Sequence, residues 1–204
     1  MAQFHYREGM SQIIPRWEWR TFGESFGEAD GRFASLTPHD VEDSDELYLL
    51  SPVVDENVKI RNQLMDIKAL QQVNADGLEQ WKPVMKVGFP LSAADVGRVF
   101  DALQVVAPAL ARAAYTLEQL IDELVKPAGR VRTVAVHKKR ARYRIDECAA
   151  EMTEVVAEGK RVRTVAIESE DPSRVIAAAR GLGLGRHENV SYPKGLKRLV
   201  GMAS

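Results

Sequence analysis

Glu168 and Glu170, in the stretch Arg161–Pro172 (RVRTVAIESEDP), are the residues whose type and spacing most directly suggest chemistry. Alternation predicts a β-strand with Val162, Thr164, Ala166, Glu168 and Glu170 on one side and Arg163, Val165, Ile167 and Ser169 on the other. The two carboxylates then face the same way, about 7 Å apart by strand rise. Like charges that close repel unless something positive sits between them, and a hard divalent cation such as Mg²⁺ takes carboxylate oxygens. The alternative is two solvated glutamates at a strand end, an ordinary surface arrangement.

Other stretches share this two-faced character. RWEWRTF places Arg16, Glu18, Arg20 and Phe22 opposite Trp17, Trp19 and Thr21. NVKIRNQ puts Lys59 and Arg61 opposite Val58 and Ile60; LMDIKAL puts Asp66 and Lys68 opposite Met65, Ile67 and Ala69. RVRTVAVHKKRARYRI puts Val134, Val136, Lys138, Arg140, Arg142 and Arg144 on one face. A solvated face usually mixes signs. These faces are rich in Lys and Arg with a few acids beside them (Glu18, Asp66, Glu168, Glu170), which suits a polyanion held together with a divalent metal. Two architectures accommodate the pattern. One is a sheet with its charged face in water; the other is a barrel with that face turned inward.

The elements that must position these residues follow from periodicity and punctuation. A short helix is expected within GESFGEADGRFASL, and an acidic, turn-rich loop over Thr37–Glu46. Strands are expected over 46–52, 57–63, 64–70, 77–91 (bulged at Pro83), 130–145, 146–158 and 161–170. Ser92 and Asp95 form a near-capping box for a helix over 93–105. Pro108 opens a second helix over roughly 109–124. Asp171-Pro172-Ser173 caps a further helix, and NVSYPKGLKRLVG reads as a turn and a terminal helix.

Bulk properties narrow the classes. At 204 residues the chain is long enough to bury roughly 70% of its unfolded surface without disulfide staples. Its net charge of −1 gives no global polycation signature for nucleic acid. The single cysteine, Cys148, excludes an internal disulfide and a cysteine-rich zinc site. His5, His39, His137 and His187 show no ligand spacing. No apolar run is long enough for a transmembrane helix, and MAQFHYREGM lacks the core of a signal peptide, so the expected location is cytoplasmic. No Gly-rich phosphate loop, Ser-His-Asp set or HExxH is present.

Taken in order, the motifs resemble the CYTH domain, the triphosphate tunnel metalloenzymes, a family that includes class IV adenylyl cyclases and thiamine, inorganic and RNA triphosphatases. Lys59-Ile60-Arg61 stands where the family has Arg-x-Arg, and Asp66-Ile67-Lys68 where its next lysine falls. Lys138-Lys139-Arg140 matches Lys-x-Arg, and Glu168-Ser169-Glu170 the late acidic pair. Tyr48-Leu49-Leu50-Ser51-Pro52 resembles the tyrosine-to-proline strand, and Asn189-Val190-Ser191-Tyr192 with Leu196 the usual end. The likeness spans about residues 15–200.

It implies an α+β fold: an antiparallel eight-stranded β-barrel with a charged interior and helices packed outside. Residues 15–204 would form one domain, with a helical insertion at about 92–126 and a lead-in over 1–14. It implies Mg²⁺ or Mn²⁺ held by Glu168, Glu170 and Glu18, and phosphate oxygens held by Arg20, Lys59, Arg61, Lys68, Lys138, Arg140 and Arg142. The implied activity is metal-dependent hydrolysis of a small-molecule triphosphate or polyphosphate. A non-catalytic polyphosphate- or nucleotide-binding module is the alternative, and an RNA-binding face a third reading that is disfavoured. Nothing selects adenine for a cyclase. The chain departs from the pattern at Arg16, where the first glutamate of Glu-x-Glu-x-Lys belongs, and at Thr153, near where an aspartate is usual. The sequence leaves oligomeric state open.

Overall fold

A computed structural model describes residues 14–202; the lead-in before Ile14, with His5, lies outside the described residues. In chain order the elements are β1 (Arg16–Gly23), α1 (Glu28–Ala34), β2 (Asp40–Leu50), β3 (Asn57–Arg61), β4 (Leu64–Val73), β5 (Glu79–Gly88), β6 (Leu91–Ser92), α2 (Ala93–Leu103) and β7 (Ala114–Tyr115). A helical run follows, α3 (Leu117–Gln119) passing through a π-helical segment (Leu120–Val125) into α4 (Lys126–Ala128). Then come β8 (Arg132–Ile145), β9 (Cys148–Ala157), β10 (Lys160–Ser169), α5 (Pro172–Gly181) and α6 (Tyr192–Val200). Eight strands close an antiparallel barrel in the order β1-β10-β9-β8-β2-β3-β4-β5, and β6 and β7 form a separate ribbon.

Alternation decides which face turns inward. On β1, Trp17 and Trp19 point outward and join Phe26, Phe33, Val165, Ile167 and Val175 in a core under α1 and α5. On β2–β5, Leu49, Val58, Ile60, Met65, Ile67 and Met85 point outward under α2 and the π-helical segment, joining Val96, Phe100 and Leu124. These two hydrophobic cores therefore lie outside the barrel wall, and the charged faces turn inward. The helical insertion packs on its own barrel.

The lower end of the barrel is closed from within. Tyr192, Leu196 and Val200 of α6 pack against the inward-facing Tyr48, Leu50, Val134, Val136, Val155 and Ala157. The Tyr192 ring stacks on Tyr48 at 5.3 Å and meets Phe22 edge-on at 5.5 Å. The approach to α6 also completes β1. Asn189 Oδ1 accepts the Arg20 amide at 2.8 Å, and the Val190 amide donates to the Arg20 carbonyl at 2.7 Å. These bonds satisfy backbone groups beyond the point where β5 starts, with Glu79 paired to Glu18.

Three expectations are corrected. The acidic stretch Thr37–Glu46 is not a loop: β2 begins at Asp40 and runs along β8 to Leu50. Its carboxylates pair with β8 cations, which offsets their poor strand propensity. The helix expected over 109–124 begins only after Thr116, whose side chain and Gln119 form a capping box; residues 114–115 instead pair with β6. The strand ending in Glu170 ends at Ser169. The bulge expected at Pro83 is present as a register shift between β4 and β5.

Gly195 lets α6 reach the wall. A Cβ there would lie 2.2 Å from Phe22 Cε2, too close for any residue but glycine without movement. Gly195→Ala should therefore lower stability by about 1–3 kcal/mol in urea denaturation, the usual range for overpacking. Adding Phe22→Leu should recover part of the loss.

Candidate functional site: a charged tunnel with one floor

The tunnel is organised around Glu46, whose side chain is fully buried. It projects inward from β2, between β3 and β8. Its Oε2 accepts from Lys138 at 2.8 Å, from Lys59 at 3.0 Å and from the Tyr48 hydroxyl at 3.1 Å. Its Oε1 faces Arg140 at 3.4 Å and Arg61 at 3.7 Å. Burial alone would raise this carboxyl's pKa; Lys138 and Lys59 outweigh it and hold it far below the usual range. Burial likewise depresses Lys138, with Lys59 adding to the effect, while Glu46 opposes it. The Lys138 ammonium also sits 3.9 Å from the Tyr192 ring centroid and 4.8 Å from that of Tyr48.

Other interior cations are similarly engaged. Arg20 donates through Nε and Nη2 to both oxygens of Glu18 (2.9 and 3.3 Å), and through Nη1 to Glu151 at 2.9 Å and Thr164 at 3.3 Å. Glu151 also faces Arg140 at 3.3 Å and is held at about 2 because Arg20 and Arg140 overcome its burial. Glu42 faces Arg61 at 3.5 Å and Arg140 at 3.3 Å and pairs with Arg142, which also contacts Asp40. Lys68 differs: it forms no ion pair among the described residues, and its charge acts on Glu18 and Glu168.

Glu18 and Glu168 are directly opposed on β1 and β10 and lie within hydrogen-bonding reach of each other. Burial, together with the negative charge of Glu18, pushes Glu168 up to about 7 against the opposing effect of Lys68. Glu79 lies on the other side of Glu18, across β5. It is raised by burial and held by Lys194 of α6 at 3.3 Å. Glu170 is not in this row; it lies past the end of β10, exposed. It lines an outer cavity of about 390 Å³ with Arg16, Arg144, Arg174 and Glu168. A second cavity of about 250 Å³ lies within the mouth, lined by Arg16, Lys68, Arg140, Arg142, Glu151 and Glu168. The two share Arg16, Ala149 and Glu168.

The expected carboxylates and cations thus separate into layers. Lys59, Lys138 and Arg20 lie deep and are neutralised by carboxylates. Glu18 with Glu168 lies higher, facing Lys68, and Arg16 stands at the rim. Sequence reasoning missed Glu42, inside the stretch read as a loop, and Glu46, at the junction of that loop with the strand expected over 46–52. It also missed Glu151, which faces inward two residues before Thr153, and Glu79. Parity along β9 from Thr153 would have found Glu151.

Among the described residues no three His, Cys, Asp or Glu side chains converge as a ready-made metal cluster. The opposed carboxylates of Glu18 and Glu168 nonetheless fit a hard cation of the Mg²⁺ type, which takes one or two protein carboxylates and completes its shell with phosphate oxygens and water. Arg20 competes for Glu18.

No family model and no curated protein matches the sequence. Solved structures do. A candidate adenylyl cyclase from Hippeastrum, described by a dominant triphosphatase activity, superposes with a TM-score of 0.51 at 12% identity, covering 93% of this chain and 97% of that one. A conserved hypothetical protein from Pyrococcus furiosus gives 0.50 at 16%, covering 87% and 98%. A candidate adenylate cyclase from Bacillus halodurans gives 0.50 at 9%, covering 91% and 98%. At these identities the likeness establishes the fold, a CYTH-like tunnel.

Glu46→Ala would leave Lys59 and Lys138 buried without their counter-charge. It should cost about 3–5 kcal/mol in chemical denaturation. Glu168 generates a pH dependence of opposite sign to that of an ion-paired acid. Its folded pKa of about 7 lies above the ordinary value near 4.3, so the folded state binds the extra proton between them. In EDTA, stability contributed by Glu168 should be present at about pH 4 and fall as pH rises to about 7. Glu168→Gln should flatten that decline, as read by urea denaturation at several pH values.

Proposed function

We propose that the tunnel binds the phosphate tail of a small triphosphate, inorganic tripolyphosphate or a nucleoside triphosphate, and hydrolyses its terminal phosphoanhydride with Mg²⁺ or Mn²⁺. The observation that carries this reading is the opposed pair Glu18 and Glu168 facing Lys68 inside a blind, cation-lined barrel. The triphosphatase activity described for the Hippeastrum protein of like fold supports it.

Glu18 and Glu168 would hold the ion, which supplies neutralisation of phosphate charge and activation of water for in-line attack. The chain's own groups do the rest. Lys68 draws the phosphate chain toward the carboxylate pair. Arg140 and Arg61, held in place by Glu42 and Glu46, keep a positive field along the wall. Positioning and electrostatic stabilisation are most of what phosphoryl transfer asks of a protein.

A non-catalytic binding module is the second reading. Arg16 stands where the family places a carboxylate, and Arg20 grips both oxygens of Glu18. Phosphate release from tripolyphosphate and ATP, with Mg²⁺, Mn²⁺ or EDTA, separates the two. Hydrolysis predicts metal-dependent release that falls by roughly 100-fold or more in Glu168→Gln. Absence of release, with tripolyphosphate still raising the melting temperature, selects the binding module. Absence of both rejects the phosphate reading.

A further inference from the structure

The layering of charge points to a phosphate site that keeps only Lys68 of the residues motif order suggests and adds Arg16, which motif order does not. A cation already held by a buried carboxylate gives up that partner before it can serve a ligand, and separating a buried pair is costly. Lys59 and Lys138 share one oxygen of Glu46, and Arg20 is held by Glu18 and Glu151. Moreover, α6 occupies the space below them, with Tyr192 stacked against Tyr48. The deep cations are thus braces that join strands β1, β2, β3, β8 and β9 across the lumen.

At the mouth the situation reverses. Arg16 and Glu18 share the inward parity of β1, and Arg16 lines both mouth cavities together with Glu168. Lys68 lines the inner cavity. Neither Arg16 nor Lys68 forms an ion pair among the described residues, so each can meet an anion without first breaking a contact. A guanidinium at this position also matches phosphate geometry better than an ammonium does.

We infer that Arg16 is a phosphate-binding residue and that Arg16 and Lys68, which line one cavity together with Glu168, form the primary phosphate clamp at the rim of the tunnel. In this view the change from carboxylate to arginine moves the anion site outward. The inference rests on the proposed reading of the tunnel as a triphosphate site, and deepens it.

The test is calorimetric titration of tripolyphosphate, with Mg²⁺ present, into wild type, Arg16→Ala, Arg16→Lys, Lys68→Ala and Arg161→Ala. Arg161 is an exposed cation on the lower end of β10, so its removal controls for loss of one unit of charge. The expected result is a weakening of roughly tenfold or more in Arg16→Ala and in Lys68→Ala. Arg16→Lys should recover part of the loss, and Arg161→Ala should stay near wild type. Wild-type binding with Arg16→Ala within twofold of it would overturn the inference while leaving the proposed function standing. An equal loss in Arg161→Ala would also overturn it, by reducing the effect to net charge. Absence of wild-type binding would remove both the inference and the reading it rests on.

Discussion

The fully buried carboxylate of Glu46 is the constraint on which the rest of this structure depends. A barrel that turns its charged faces inward gathers Lys59, Arg61, Lys138 and Arg140 in a small lumen, where their mutual repulsion would oppose closure. Glu46 faces all four and joins β2 to β3 and β8 in doing so. Glu42 and Glu151 repeat the device higher on β2 and across to β1. Such networks are stable only when every member is satisfied, because an unpartnered buried charge costs several kcal/mol. Two of the three apolar cores lie outside the wall, under α1 and α5 on one side and α2 with the π-helical segment on the other, and the third fills the lower lumen against α6.

This arrangement has a functional consequence. Most interior positive charge is neutralised by protein carboxylates, so the lumen is not a simple cationic tube. What remains available is concentrated toward the mouth, where Lys68 and Arg16 line one cavity together with Glu168. There a polyanion and a divalent cation would complement one another, each supplying the charge the other lacks. At the opposite end, Tyr192 and Leu196 fill the space between the strands, and Lys194 and Lys197 tie α6 to Glu79 and Asp55. The tunnel is therefore a pocket with one mouth.

Much of this was legible in the sequence because the period of two is a strong signal when one face is fully charged. Alternation alone put Arg20, Lys59, Lys68, Lys138 and Glu168 on charged faces, and the order of motifs supplied barrel closure and with it the inward direction. What was hidden had physical causes. DVEDSDE has the composition of a turn, and the cations of β8 across from it stabilise it as a strand; Glu42 was lost with that reading, and Glu46 stood at its edge, where the expected strand began. Alternation gives a face but not a depth, so it could not separate the braces Lys59 and Lys138 from the mouth-level Lys68. Glu170 shared the parity of Glu168, yet β10 ends at Ser169 and leaves it outside the row. The family resemblance placed Arg16 as a lost ligand, whereas the structure puts it at the rim beside Glu168.

The most direct test of the account is a crystal structure with Mn²⁺ and tripolyphosphate bound, with the metal located by its anomalous scattering. The expected result is Mn²⁺ at Glu18 and Glu168 with the phosphate chain beside it at the mouth, and Glu46 still holding Lys59 and Lys138. A phosphate chain lying at the floor against Lys138, with Mn²⁺ away from Glu168, would contradict it.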